Sequence, residues 1–169
     1  MKKIPGKTIT VAAILVLGIG SLQAQPRTEK TVSLAIANER AAAAVAECQA
    51  KGYADTATVV DRAGQVKAVH RADGASLHTI DASRRKAYTA ASMRNNTTTI
   101  MEVLQKNPGA QNLGQIDGIL LLGGGMPVRV GNEVIGAIGV GGAPGGHLDD
   151  PSPESDPSTD LLAPRPWSP

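Results

Sequence analysis

The side chains best suited to chemistry fall in two stretches of this 169-residue chain: Asp73 to Thr99, and the glycine-rich run from Gly123 to Gly146. Three histidines, His70, His78 and His147, supply imidazoles. No two have the i, i+4 spacing of a helical zinc pair and no cysteine stands beside them, so a structural zinc site has little support. Each histidine is weighed singly, as a surface group, a local hydrogen-bonding group or a lone ligand. Arg84, Arg85, Lys86 and Arg94 form a basic helical cluster whose ordinary role is a solvated face. The sharper reading gives one or two of them, Arg85 included, a ligand carboxylate, because a guanidinium grips a carboxylate through two parallel hydrogen bonds. No Ser-His-Asp arrangement with a nucleophile elbow is visible, nor a pair of carboxylates placed as acid and base.

Ten of the nineteen glycines lie between Gly123 and Gly146, so this run must serve a backbone purpose. Gly123-Gly124-Gly125 resembles a phosphate loop only superficially. No Lys-Ser/Thr follows it, and Pro127 opens a strand where a phosphate cradle needs a helix amino terminus. Glycines in such number permit close approach of backbone to backbone, or of backbone to a flat ligand. Cys48, the single thiol, excludes an internal disulfide and reads as a small buried hydrophobe in an alanine-rich helix.

The elements that must position these groups follow from periodicity and punctuation. Thr31 to Lys51 is alanine-rich and closes at Gly52, a helix with its stop signal. Thr56 to Asp61 and Gln65 to His70 are β-rich runs joined by Asp61-Arg62-Ala63-Gly64, which has hairpin chemistry. A second helix starts at Ser76 or Thr79 and runs to about Met93; a third spans Thr98 to Gln105 and ends at Asn107-Pro108-Gly109. Gly118 to Leu122, Pro127 to Val130 and Glu133 to Val140 read as strands, with Gly131-Asn132 turning the last hairpin. Hairpins with helices between them predict an α+β domain, an antiparallel sheet covered by helices, rather than a doubly wound parallel sheet.

The ends of the chain differ from its middle. Lys2, Lys3 and Lys7, an apolar run from Ile9 to Leu22, and Ala24 before Gln25 make residues 1–24 a secretory signal peptide, which places the mature protein in the periplasm or outside the cell. Its removal takes three of the seventeen basic residues, leaving fourteen against fifteen acidic ones. The net charge then falls from +2 to −1, which argues against nucleic acid and anionic membrane surfaces as partners and leaves no membrane span after cleavage. Residues 150–169 carry six of the eleven prolines without either periodicity, the composition of a disordered tail, with Trp167 exposed in it. The domain is therefore residues 31–149.

Three blocks within it, VVDRAGQVKAVHRADGA, DASRRKAYTAAS with its threonine cluster, and LLGGGMPVRVGNEVIGAIGVGGAPGGHLD, resemble the GlcG-like family of haem-degrading or haem-binding domains. This family includes the C-terminal domain of PduO-type corrinoid adenosyltransferases. The resemblance covers the whole folded unit. It implies a profilin-like fold with a five-stranded antiparallel sheet covered by helices, homo-oligomers, and binding of haem, with a corrinoid as the alternative tetrapyrrole. By motif position it implies a contact from Thr97, Thr98 or Thr99, with Met93 or a histidine able to replace it; His78 and Thr97 are the candidate iron ligands. Gly124, Gly125 and His147 complete the candidate cofactor-binding set, with Arg85 for a propionate.

These readings lead to an exported, non-catalytic haem-binding homo-oligomer. The alternatives are an enzyme that degrades haem or uses it against peroxide, and a structural or sensory module whose glycine-rich face meets another protein. With no Phe, aromatic packing on a porphyrin falls to Tyr53 and Tyr88. A shallow, exchangeable site is expected in place of a deep pocket.

Overall fold

A computed structural model describes residues 25–146 and 149–150. The signal peptide, His147, and the tail from Pro151 expected from the sequence lie outside the described residues. Helix α1 spans Leu34–Ala50; Ser33 caps it, its hydroxyl accepting from the Ile36 N–H at 3.3 Å, and Gly52 at φ +85° turns the chain away. Strands β1 (Thr56–Asp61) and β2 (Val66–Arg71) form the predicted hairpin. Asp61 holds its turn, with one carboxylate oxygen accepting from the Ala63 and Gln65 N–H groups at 2.9 Å each. Helix α2 spans Thr79–Met93 and helix α3 Thr97–Gln105, followed by a 3-10 turn over Pro108–Gln115. Strands β3 (Gly125–Val130) and β4 (Glu133–Gly141) complete the described elements.

The sheet is antiparallel throughout, in the order β2-β1-β4-β3. It has four strands among the described residues where five were expected. The missing one is the run from Gly118 to Leu122, which is apolar enough to be a strand but spends backbone groups on side chains of α2. The Leu120 N–H donates to the Thr89 hydroxyl at 2.8 Å, and the Ile119 carbonyl accepts from Arg85 Nη2 at 2.7 Å. Backbone groups engaged in this way are not available to a ladder.

Period-two alternation sends the two sides of β1 and β4 to different helices. Ala57, Val59, Ile138 and Val140 pack with Ala37, Ala41, Ala44 and Cys48 of α1, while Val60 and Ala137 pack with Ala87, Ala90 and Ala91 of α2. The α2 side is partly polar inside. Thr56 bonds Thr79 and Thr58 bonds Ser83, each hydroxyl to hydroxyl at 2.7 Å and each fully buried, so no polar atom of either pair is left unmatched. Small residues on the helices let them lie close to the sheet, which is how a core without Phe reaches close packing.

Candidate functional site

The glycine loop sits where α2, α3 and the end of β4 meet. Gly125 opens β3 against the start of α3: its N–H donates to the Thr97 hydroxyl at 2.8 Å. A Cβ on Gly125 would lie 2.6 Å from both the Lys86 carbonyl and Thr97 Cγ2. Gly124 has φ +106°, and a Cβ there would lie 2.6 Å from the Val140 carbonyl and 2.9 Å from Lys86 Nζ. The described structure thus gives these glycines close packing between elements, filling with protein the space a flat ligand would need.

Lys86 is the centre of this region. It projects from the alanine side of α2 and is only 1% exposed. Its ammonium donates to the Val140 carbonyl at 2.9 Å and to Asp149 Oδ2 at 2.7 Å, with Asp149 itself 3% exposed. The other Asp149 oxygen accepts from the Ala143 N–H at 2.9 Å. Burial raises the Asp149 carboxyl above the usual carboxylate range, and the Lys86 ammonium and the Ala143 N–H only partly offset that rise. Asp150 is fixed alongside, accepting from the Gly124 N–H at 2.7 Å and from the Thr98 hydroxyl at 2.8 Å. Behind this cluster, Asp55 is fully buried, its carboxylate beside the Cys48 thiol. Burial first, and the adjacent Asp55 carboxylate next, push the Cys48 thiol up to about 12.

The residues singled out from the sequence therefore separate into two groups. Thr97, Thr98, Gly124 and Gly125 converge at the loop, with the Thr97 hydroxyl buried and engaged by Gly125; Thr99 is exposed and Met93 half-buried at the end of α2. His78 stands apart at the amino end of α2, exposed and making no capping bond, between Leu77, 92% exposed, and Ile80, 46% exposed. Arg85 lies seven residues further on, two turns along the same flank, about 10 Å along the axis, with one nitrogen on the Ile119 carbonyl. No group of three or more His, Cys, Asp or Glu residues able to hold a metal ion occurs among the described residues. No helix there is long and apolar enough to cross a membrane.

Lys86 is the residue that sequence reasoning misplaced, having grouped it with a solvated basic face. The signal was present: Thr79, Ser83, Lys86, Ala87 and Ala90 fall on one helical stripe, and β4 offers Gly139 and Gly141 opposite it.

Comparison with known proteins now decides the family. The family model described as haem degrading protein HbpS-like matches residues 32–151. The chain belongs to the HbpS-like family. A 15.0 kDa protein of the dhaT-dhaS intergenic region of Citrobacter freundii is 37% identical over 116 residues, covering 66% of this chain and 80% of that one. The crystal structure of HbpS superposes with a TM-score of 0.71 at 30% identity, covering 83% of this chain and 96% of HbpS. Protein ORFY of Klebsiella pneumoniae gives a TM-score of 0.71 at 30% identity, covering 82% and 94% of the two chains. PduOC, whose crystal structure is of a haem complex, shares the fold at a TM-score of 0.62 and 21% identity, over 70% of this chain and 90% of that one. The HbpS-like family is thus a haem-related one, and this chain carries its α+β fold.

Proposed function

We propose that this protein binds haem at the amino end of α2, with His78 as the iron ligand, and that it does so reversibly and without catalysis. The observation that carries this reading is the exposed His78 imidazole, free of any capping bond and flanked by the exposed apolar side chains of Leu77 and Ile80. An accessible nitrogen ligand within an apolar surface is the donor chemistry that haem iron and a porphyrin face require. Arg85 supports it, since its position two turns along the flank suits a propionate while His78 meets the metal. Thr97 is less suited to the iron because its hydroxyl already serves the Gly125 N–H inside the protein. Bound haem would supply the iron; the chain holds it, and a shallow surface site lets it exchange. Export after cleavage of residues 1–24, and assembly into homo-oligomers, complete the proposal on the strength of the leader's composition and the family resemblance.

Titration with haemin tests it. A saturable Soret shift is expected, lost or displaced in His78→Ala and unchanged in Thr97→Val; no saturable shift in the intact protein would overturn the reading. The name of the family favours a second reading, haem degradation. Loss of the Soret band with release of free iron under a reductant, many turnovers per chain and absent with free haemin, would establish that instead. Cobalamin in place of haemin separates the corrinoid alternative.

A further inference from the structure

At the opposite end of α2 from His78, four cationic side chains from four separate segments converge on one cleft. Lys30 precedes α1, Arg62 lies in the β1–β2 turn, Arg94 follows α2 and Arg129 lies on β3; the cleft they line has a volume of about 490 Å³, also bounded by Asn132 and Glu133. Glu133 pairs with Arg62 and lies 4.0 Å from Lys30, and Glu29 lies 3.4 Å from Arg62. Glu29 is shared with Arg27, at 2.9 Å, so among the residues lining the cleft one acid, Glu133, faces four bases. Arg94 forms no ion pair or hydrogen bond through its side chain among the described residues, and Arg129 uses one nitrogen, at 2.5 Å, on the Arg94 carbonyl.

Like charges brought together from distant parts of a chain repel, and a chain with seventeen basic against fifteen acidic residues has no large general excess of positive charge to explain the gathering. An excess of positive charge in an open, polar concavity, with two guanidiniums holding unused donors, matches one small dianion. We propose that this cleft binds a small molecule carrying two negative charges on carboxylate or phosphate oxygens, held by Arg94 and Arg129. The cleft is about 24 Å along α2 from His78, sixteen residues at 1.5 Å each, so one haem could not occupy both places.

Calorimetric titration of the intact protein with citrate and with inorganic phosphate, against chloride at matched ionic strength, tests the site. One saturable event per chain is expected with either anion; which binds tighter distinguishes a carboxylate from a phosphate ligand. Arg94→Asn, which keeps a residue tolerant of the left-handed conformation that Arg94 adopts at φ 54°, should weaken binding roughly tenfold or more while leaving the unfolding midpoint unchanged. Arg94→Lys should restore part of the affinity. Absence of saturable heat, equal binding by Arg94→Asn, or an effect that follows ionic strength alone would overturn the proposal. Haemin titration of Arg94→Asn should match that of the unaltered protein; loss of haemin binding there would show one shared site and overturn a separate one.

Discussion

Lys86→Met gives the strongest test of how this fold is held together. The substitution keeps a flexible apolar stem of similar length and removes the ammonium from a position 1% exposed, leaving the Asp149 carboxylate, 3% exposed, without its cation. Breaking a buried ion pair from one side costs about 3–5 kcal/mol, against a total stability of about 5–15 kcal/mol for a domain of ordinary size. With a urea slope near 1.5 kcal/mol/M, the midpoint should fall by roughly 2–3 M. The dependence on pH has a definite sign. Asp149 is already raised above its ordinary 3.8 by burial, and removing Lys86 deletes the larger of the two influences that lower it, leaving the Ala143 N–H. A group whose folded value exceeds its unfolded value favours the fold below the unfolded value and loses that contribution as pH rises through the folded one. The penalty for Lys86→Met should therefore be smallest near pH 4 and grow toward neutrality. In the double substitution Lys86→Met with Asp149→Leu, most of the loss should disappear, because no charge is then stranded. Urea denaturation followed by circular dichroism at pH 4 and pH 7 measures all of these. A loss below about 0.5 kcal/mol, or one equal at both pH values, would refute the role given to the pair.

Two further outcomes follow from packing and burial. In Gly139→Ala the new Cβ would lie 2.1 Å from the Ser83 carbonyl and 2.5 Å from the Ala87 nitrogen, both backbone atoms of α2, so the helix must move off the sheet; a loss of roughly 3 kcal/mol or more is expected in thermal melts, and one under about 1 kcal/mol would show that α2 yields easily. Cys48, pushed up to about 12, should react with a thiol reagent at pH 8 only as fast as the protein opens, and at the ordinary rate in urea; because its ordinary value is 9.0, its contribution to stability should be lost as pH rises from about 9 toward 12, and Cys48→Ala should flatten that alkaline limb.

Much of the fold was legible in the chain because its local signals agree. The Gly52 stop, the Asp61 turn and the Gly131-Asn132 hairpin each fix a boundary by chemistry confined to a few residues, and the observed helices and strands begin or end close to where those signals stand. The segment from Gly118 to Leu122 was misread as a strand because its apolar character is the same whether its backbone pairs with a strand or with Thr89 and Arg85. The candidate site was less legible. The Thr97, Gly124 and Gly125 neighbourhood followed from motif blocks, but Lys86 was assigned to solvent because a lysine's charge ordinarily forbids burial, and its partner Asp149 is sixty-three residues away.

By itself, then, the sequence determined the class of the fold, the approximate extent of each helix and the character of the core, since these depend on short-range periodicity and on side-chain size: an aliphatic, alanine-rich interior follows from having no Phe at all. Tertiary structure alone decided which glycines are packing devices, which charge is buried and which cations share a cleft. Those properties rest on distances between residues far apart in the chain, such as Lys86 with Asp149 or Arg62 with Arg129, and no local propensity encodes such a distance. The same burial that makes Lys86 costly to lose explains why it had to be matched by an acid from the far end of the domain.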